Sequence, residues 1–119
     1  MIDDDEDDQE IFNLAIEEFS QNISCTAISD ARIAMKILEN KELYPDVIFL
    51  DLNMPVMNGQ QFLKEIKQKD ELKEIPVIIF STSFHDATID STIQLGATNF
   101  VTKPGSVNEL VTILKPLLF

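Results

Sequence analysis

Three apolar stretches of the chain each end in a side chain that can take part in chemistry. These side chains are the carboxylate of Asp51, the hydroxyl of Ser81 and the ammonium of Lys103. Unbroken apolar runs rich in β-branched and aromatic residues are typical of strands buried on both faces of a parallel sheet. Parallel strands end at one edge of their sheet, where open α/β sheets form ligand crevices. We therefore expect the three side chains to converge at that edge.

The first ten residues supply further carboxylates. They contain seven acids and no base, and residues 3–5 precede an amphipathic helix that the spacing of Phe12, Ala15 and Phe19 predicts. Carboxylates this close together repel one another unless a cation intervenes, and oxygen-rich sites suit Mg²⁺. A carboxylate beside such a metal can attack phosphorus, while an ammonium and a hydroxyl hold the remaining phosphoryl oxygens. An aspartyl phosphate is the chemistry that this set of side chains supports.

Composition limits the classes of protein to which the chain can belong. A length of 119 residues and a hydrophobic fraction of 45% predict one globular domain, spanning residues 1–119, with a substantial core. No apolar run is long enough to span a membrane, and the acidic N-terminus does not have the pattern of a secretory signal. The single cysteine excludes an internal disulfide and fits a cytoplasmic location. The net charge of −12 makes direct binding to nucleic acid or anionic lipid unfavourable.

Strand and helix signals alternate along the chain. The predicted strands are residues 23–28, 46–51, 76–81 and 98–102. Helices are predicted from residue 7 or 8, from a cap at Ser29 or Asp30, after the Asn58-Gly59 turn, over about residues 86–95, and at the C-terminal end. Alternation of this kind implies a parallel sheet with helices on both faces.

With these motifs the chain resembles the response-regulator receiver domains of two-component signalling over nearly its whole length. The resemblance lies in IDDDEDD near the N-terminus, DVIFLDLNMPVMNG around Asp51, PVIIFSTS ending at the Ser-Thr-Ser run, and FVTKP around Lys103. Each motif alone is weak, but the four occur in the family's order and at its separations. The resemblance implies a flavodoxin-like, doubly wound α/β fold, a (βα)5 arrangement with strand order 2-1-3-4-5.

The resemblance also implies a metal site and a phosphoacceptor. Asp51 would accept the phosphoryl group, Asp4 would bind Mg²⁺ directly, and Asp3 would bind it through water. Asp51 and the backbone carbonyl of Asn53 would complete the protein's share of the metal ligands. The acidic pair could instead be shifted by one residue within Asp3-Asp4-Asp5.

Other site residues follow from the same resemblance. Ser81 would hydrogen-bond the phosphoryl group, Lys103 would pair with it, and Phe100 would be the aromatic residue whose rotamer follows the movement of Ser81. Thr82 is an alternative to Ser81. The Lys103-Pro104 bond is expected to be cis, as is usual in the family. Asn53 and Ser83 flank the site and are expected to tune hydrolysis of the acyl phosphate.

The N-terminus departs from the family pattern. Family members begin with a strand of about five or six apolar residues, whereas only Met1 and Ile2 precede Asp3 here, so the first strand is largely missing. The chain is truncated or misnumbered, another chain supplies the strand, or the sheet is reorganised and the metal site compromised. Truncation is the interpretation adopted.

The resulting functional hypothesis is a receiver that takes phosphoryl from a histidine kinase or phosphotransfer protein onto Asp51. The Mg²⁺-dependent step would switch binding of a downstream effector protein, and the chain would catalyse only its own phosphorylation and dephosphorylation. The oligomeric state is left open. One alternative is a Mg²⁺-dependent phosphohydrolase with an aspartyl-phosphate intermediate, although Asn53 stands where that class has a second aspartate. The other is a binding module that is never phosphorylated.

Overall fold

Helices and strands alternate along the chain in the computed structural model, which describes residues 1–19, 23–54, 57–82 and 85–118. The elements are α1 (Glu6–Glu17), α2 (Ala31–Glu39), β1 (Ile48–Leu50), α3 (Gly59–Lys67), β2 (Val77–Ser81), α4 (Asp86–Gln94), β3 (Asn99–Thr102) and α5 (Val107–Leu118). Ser83, one of the residues expected to tune hydrolysis, lies outside the described residues. None of the helices within the described ranges is long and apolar enough to cross a membrane.

The three strands form a parallel sheet in the order β1-β2-β3. Leu50 of β1 is level with Ile79 of β2, and Ser81 at the end of β2 is level with Thr102 of β3. The parallel sheet predicted from the alternating elements is therefore confirmed, with strands that are shorter at their ends than the sequence indicated.

Ile2 occupies the centre of the sheet even though little of a first strand is present. It forms parallel bridges to both Ile28 and Leu50. Its N–H donates to the carbonyl of Phe49 at 2.8 Å, and the N–H of Asp3 donates to the carbonyl of Ile28 at 3.0 Å. The spatial order is thus the residue 28 segment, residue 2, β1, β2 and β3, which is the expected 2-1-3-4-5 order. The alternative of a reorganised sheet is therefore wrong.

The predicted strand over residues 23–28 is also wrong, because only Ile28 is paired as a bridge. A strand needs a neighbouring backbone, and only residues 1–3 lie alongside this segment. The Met1 ammonium donates to the carbonyl of Thr26 at 2.8 Å, and the N–H of Ile28 donates to the carbonyl of Met1 at 2.9 Å. Burial lowers the pKa of the Met1 ammonium.

A groove of about 820 Å³ opens beside Met1, between the residue 23–26 segment and β1. Apolar side chains dominate its lining, among them Ile23, Cys25, Tyr44 and Val47. The groove lies where the family resemblance places the earlier residues of the first strand. Truncation of the first strand, the interpretation adopted from the sequence, stays a prediction.

Alternate residues of the strands build two cores. Phe49 and Phe80 face α1 and α5, and their ring centroids lie 5.0 Å and 5.7 Å from that of Phe12. Leu50 and Ile79 face the opposite way and pack with the buried side chains of α2 and α3. Strands buried on both faces are held on each side by close packing. The sheet edge at which they end is therefore a firm base for side chains.

Side-chain caps fix the starts of α1, α2 and α3. Asp5 caps α1, whose first residue is Glu6 rather than Asp7 or Asp8. Asp30 caps α2, as one of the two sequence alternatives predicted. The predicted Asn58-Gly59 turn is the start of α3, where Asn58 and Gln61 form a reciprocal capping box.

The Lys103-Pro104 peptide bond is trans. No cis peptide bond occurs within the described ranges, which include both residues. The expectation of a cis bond is wrong. For a bond before proline, trans is the lower-energy isomer by about 0.5–1 kcal/mol, so cis requires a specific tertiary contact. The residues next to Lys103 in the sequence do not identify such a contact. The expectation of a cis bond rested on the family resemblance alone.

Gly59 provides a test of how closely α3 packs on the site-bearing loop. A Cβ at this position would lie 2.4 Å from the carbonyl oxygen of Asp51 and 2.7 Å from the Cα of Leu52. We expect Gly59→Ala to lower the free energy of unfolding by about 1–3 kcal/mol through overpacking, although alanine is the better helix former. Urea denaturation followed by circular dichroism measures the change.

Gly105→Ala is the matched control, because nothing lies within 4 Å of a Cβ at that position. It should change the free energy of unfolding by less than about 0.5 kcal/mol or raise it slightly. Equal effects of the two substitutions would contradict the close approach of α3 to Asp51.

Candidate functional site

The carboxyl ends of the three strands bring Asp51, Ser81 and Lys103 to one edge of the sheet. Asp51 follows β1, Ser81 is the last residue of β2, and Lys103 follows β3. The backbone N–H of Lys103 donates to the carbonyl of Ser81 at 3.0 Å. The Lys103 Nζ then lies 3.6 Å from Asp51 Oδ2. The parallel register thus produces the convergence that the sequence pattern indicated.

Two more carboxylates reach this edge through Ile2. The bridges of Ile2 to its two neighbours set the position of the next residues, and Asp3, Asp4 and Asp51 offer ligand oxygens that lie within 4.8 Å of one another. Asp3 and Asp51 are buried, whereas Asp4 is exposed. Asp5 is engaged elsewhere, since its carboxylate accepts hydrogen bonds from the backbone of α1. The structure therefore groups the acidic pair in the Asp3-Asp4 register.

Lys103 is the positive centre of the cluster. Its side chain is only 7% exposed, and its Nζ lies 2.8 Å from Asp3 Oδ2 and 2.7 Å from Asp8 Oδ2. Nζ is also 5.8 Å from the ring centroid of Phe80. Burial favours the neutral amine, but the hydrogen bonds to Asp3 and Asp8, together with the charge of Asp51, outweigh it and raise the pKa of Lys103. The ammonium form is therefore the one that the site holds.

Asp3 is the carboxylate whose surroundings best fit a cation site. Burial raises the pKa of Asp3, although the Lys103 ammonium and the N–H of Asp5 oppose the shift. Asp3 Oδ1 accepts the Asp5 N–H at 2.9 Å. Asp3 Oδ2 forms a buried ion pair with Lys103 Nζ at 2.8 Å. A buried carboxylate whose oxygen lies within 4.8 Å of ligand oxygens from two other carboxylates fits a hard divalent cation such as Mg²⁺.

The remaining predicted residues lie around this cluster. Asn53 is exposed, and its backbone N–H donates to Asp51 Oδ1 at 3.3 Å. Ser81 is buried whereas the alternative Thr82 is exposed, so the Ser81 side chain is enclosed at the edge. Phe100 is half-buried on β3, level with Ile79, and it packs against the core that α2 and α3 form.

Asp8 is a member of the cluster that sequence reasoning missed, since it was interpreted only as part of the helix start. It lies in the first turn of α1, and its side chain is 26% exposed. A usable signal was present: Asp8 is four residues before Phe12, which is buried against the sheet, and residues four apart share a helix face. The partner residue was not evident, because Lys103 is 95 residues away in the chain.

Replacing Lys103 tests whether its ammonium stabilises the buried carboxylates around it. Lys103→Met keeps an unbranched side chain but leaves the buried carboxylates of Asp3 and Asp51 without their cation. We expect a loss of about 3 kcal/mol in the free energy of unfolding near neutral pH in metal-free buffer, the size typical of breaking a buried ion pair.

The loss of unfolding free energy in Lys103→Met should depend on pH, and the pKa of Asp3 sets the direction. The pKa of Asp3 is already raised by burial, and loss of the ammonium raises it further, so ionised Asp3 disfavours folding once the pH exceeds the unfolded value of 3.8. The deficit of Lys103→Met should therefore be larger near pH 7 than near pH 4, as urea denaturation at the two values would show. Lys115→Met, on an exposed position of α5, should show little loss at either pH. A deficit independent of pH would indicate lost packing rather than lost charge.

Comparison of the amino-acid sequence with known proteins identifies one family and several relatives. The family described as "Response regulator receiver domain" matches residues 1–115. Response regulator Rcp1 of Synechocystis is 31% identical over 93 residues, which cover 74% of this chain and 63% of Rcp1. A protein-glutamate methylesterase/protein-glutamine glutaminase of Treponema denticola is 43% identical over 93 residues, covering 75% of this chain and 24% of that protein. The chain thus spans less than two thirds of the length of these relatives.

Solved structures agree with the fold. The Mn²⁺-bound form of Rcp1 superposes with a TM-score of 0.87 at 25% identity, covering 98% of this chain and 87% of that one. The phosphorylated cyanobacterial phytochrome response regulator RcpA gives a TM-score of 0.88 at 29% identity, covering 98% and 86%. The strand-end cluster, the 2-1-3-4-5 order and these matches lead to one conclusion: the chain belongs to the response regulator receiver domains of two-component signalling.

Proposed function

We propose that Asp51 accepts a phosphoryl group from the phosphohistidine of a histidine kinase or phosphotransfer protein. The observation that carries this proposal is the buried Asp51 carboxylate, with a buried ammonium 3.6 Å away and two further carboxylates within metal-ligand distance. The relatives support it, since RcpA has been crystallised in a phosphorylated form and Rcp1 with Mn²⁺. We propose that residues 1–119 act as one such receiver in the cytoplasm.

The transfer itself needs a carboxylate nucleophile and positive charge around it. An Asp51 oxygen attacks the phosphorus, the bond between phosphorus and the histidine nitrogen breaks, and the imidazole leaves with the electron pair of that bond. A bound Mg²⁺ would supply neutralisation of charge on the transferred phosphoryl oxygens. Asp3, Asp4, Asp51 and the backbone carbonyl of Asn53 would hold it, Asp3 through water. Lys103 would pair with one phosphoryl oxygen and the Ser81 hydroxyl would donate to another.

Phosphorylation would then change the surface that partners contact. Ser81 ends β2, and Phe100 packs on the neighbouring strand next to the core. Drawing Ser81 towards the phosphoryl group would shift a two-state equilibrium that includes Phe100, and the change would reach the face formed by α4, β3 and α5. This face has an exposed apolar side chain, Ile93 of α4. A downstream effector protein that binds one of the two states more tightly would respond to the change.

Incubation with acetyl phosphate and Mg²⁺ tests the phosphoacceptor directly. Intact-protein mass spectrometry should show the addition of one phosphoryl group, because the acyl phosphate donor replaces phosphohistidine in the same displacement. Asp51→Asn should abolish the addition. Asp46→Asn is the matched control, since Asp46 is an exposed aspartate just before the same strand and should leave incorporation intact. Absence of incorporation in the unmodified chain would refute the proposal.

Replacement of Ser81 tests the switch separately from the chemistry. Ser81→Ala should still incorporate the phosphoryl group on Asp51, but the phosphorylation-dependent amide shifts of β3 and α4 should shrink strongly in NMR spectra. The reason is that alanine cannot donate a hydrogen bond to the phosphoryl oxygen. Thr102→Ala is the control, because Thr102 is level with Ser81 on the next strand but is exposed. Unchanged shift differences in Ser81→Ala would remove Ser81 from the switch.

A further inference from the structure

Asp8, rather than Asp51, is the carboxylate nearest the Lys103 ammonium. Lys103 Nζ donates a hydrogen bond to Asp8 Oδ2 at 2.7 Å, whereas its distance to Asp51 Oδ2 is 3.6 Å. A charge-assisted hydrogen bond of about 2.7–2.9 Å is among the strongest that side chains make. The ammonium is therefore directed towards α1 and away from the phosphoacceptor.

The first turn of α1 is fixed to the sheet edge, so Asp8 cannot easily withdraw. Asp5 Oδ1 accepts the backbone N–H of Asp7 at 2.9 Å and that of Asp8 at 3.3 Å. The side-chain amide of Gln9 donates to the carbonyl of Asp3 and to Ser29 Oγ. These bonds hold the backbone around Asp8 beside the cluster, and the Asp8 side chain is only partly exposed.

We propose that Asp8 is a positioning residue that holds the Lys103 ammonium away from Asp51 until a phosphoryl group competes for it. This inference rests on the proposed function of Asp51. The ammonium has three N–H donors, and one of them is committed to Asp8. Moving the ammonium closer to a phosphoryl group on Asp51 would stretch its 2.7 Å contact with Asp8, so the strength of that contact sets how readily the site accepts an anionic donor.

Removing the charge of Asp8 has a definite expected effect. Asp8→Asn keeps the volume of the side chain, frees the ammonium to turn towards Asp51 and reduces repulsion of an incoming anion. The acetyl phosphate concentration at half-maximal phosphorylation rate should fall by about three- to tenfold, a range suited to a partly exposed charge pair. The maximal rate should change less, because Asp8 does not touch the reacting atoms.

The experiment measures phosphorylation rates by intact-protein mass spectrometry at saturating Mg²⁺ over a range of acetyl phosphate concentrations. Asp8→Glu retains the charge and should return the half-maximal concentration towards that of the unmodified chain. Asp7→Asn is the matched control: Asp7 is an exposed acid in the same turn, so the variant loses the same net charge without losing a contact to Lys103.

A second measurement needs no phosphodonor. The Nζ protons of Lys103, observed through the ¹⁵Nζ signal, should exchange with water slowly in the unmodified chain and faster in Asp8→Asn. Asp7→Asn should leave the exchange rate unchanged. An unaltered half-maximal concentration in Asp8→Asn, or an equal fall in Asp7→Asn, would overturn the inference while leaving phosphorylation of Asp51 intact. Failure of the unmodified chain to incorporate phosphoryl would instead refute the proposed function, and the Lys103 signal would still decide whether Asp8 holds the ammonium.

Discussion

The ion pairing of Lys103 is the interaction on which the rest of the site depends. A single buried ammonium lies between the carboxylates of Asp3, Asp8 and Asp51, and its backbone is tied to the end of β2 through the carbonyl of Ser81. A buried ammonium is stable only because its attraction to the surrounding carboxylates offsets the free energy lost when it is removed from water. The two apolar cores matter to function mainly because they hold these side chains within the distances that this compensation requires.

Ile2 is the structural link between the N-terminal acids and the sheet. Its two parallel bridges place Asp3 beside Asp51, and α1 then begins two residues beyond Asp4 under the cap of Asp5. Because side chains alternate along an extended backbone, a shift of one residue at Ile2 would turn Asp3 away from Lys103. The hydrogen-bonded segment of residues 1–3 therefore sets the geometry of the acidic pair, while a groove lies beside Met1 on the side away from the site.

Much of the fold and part of the site followed from the sequence because the relevant signals are local. Continuous apolar runs identified β1 and β2, and their ends located Asp51 and Ser81. Other features depend on contacts between distant residues. Residues 23–27 have the alternation of a strand but lack a neighbouring backbone to pair with, so only Ile28 is bridged. The contact of Asp8 with Lys103 joins residues 95 positions apart, and no local pattern identifies such a partner.

Negative charge exceeds positive charge at the site. Asp3, Asp4, Asp8 and Asp51 outnumber the one ammonium near them, and the raised pKa of Asp3 shows that burial disfavours its ionised form. Functional sites commonly keep such local conflicts, which the rest of the fold must offset. The proposed Mg²⁺ would relieve this conflict, because a divalent cation adds positive charge where the carboxylates are in excess. Because Lys103 pairs with Asp3, Asp8 and Asp51 at once, a phosphoryl group added to Asp51 under the proposed function would also change the contact between Lys103 and α1.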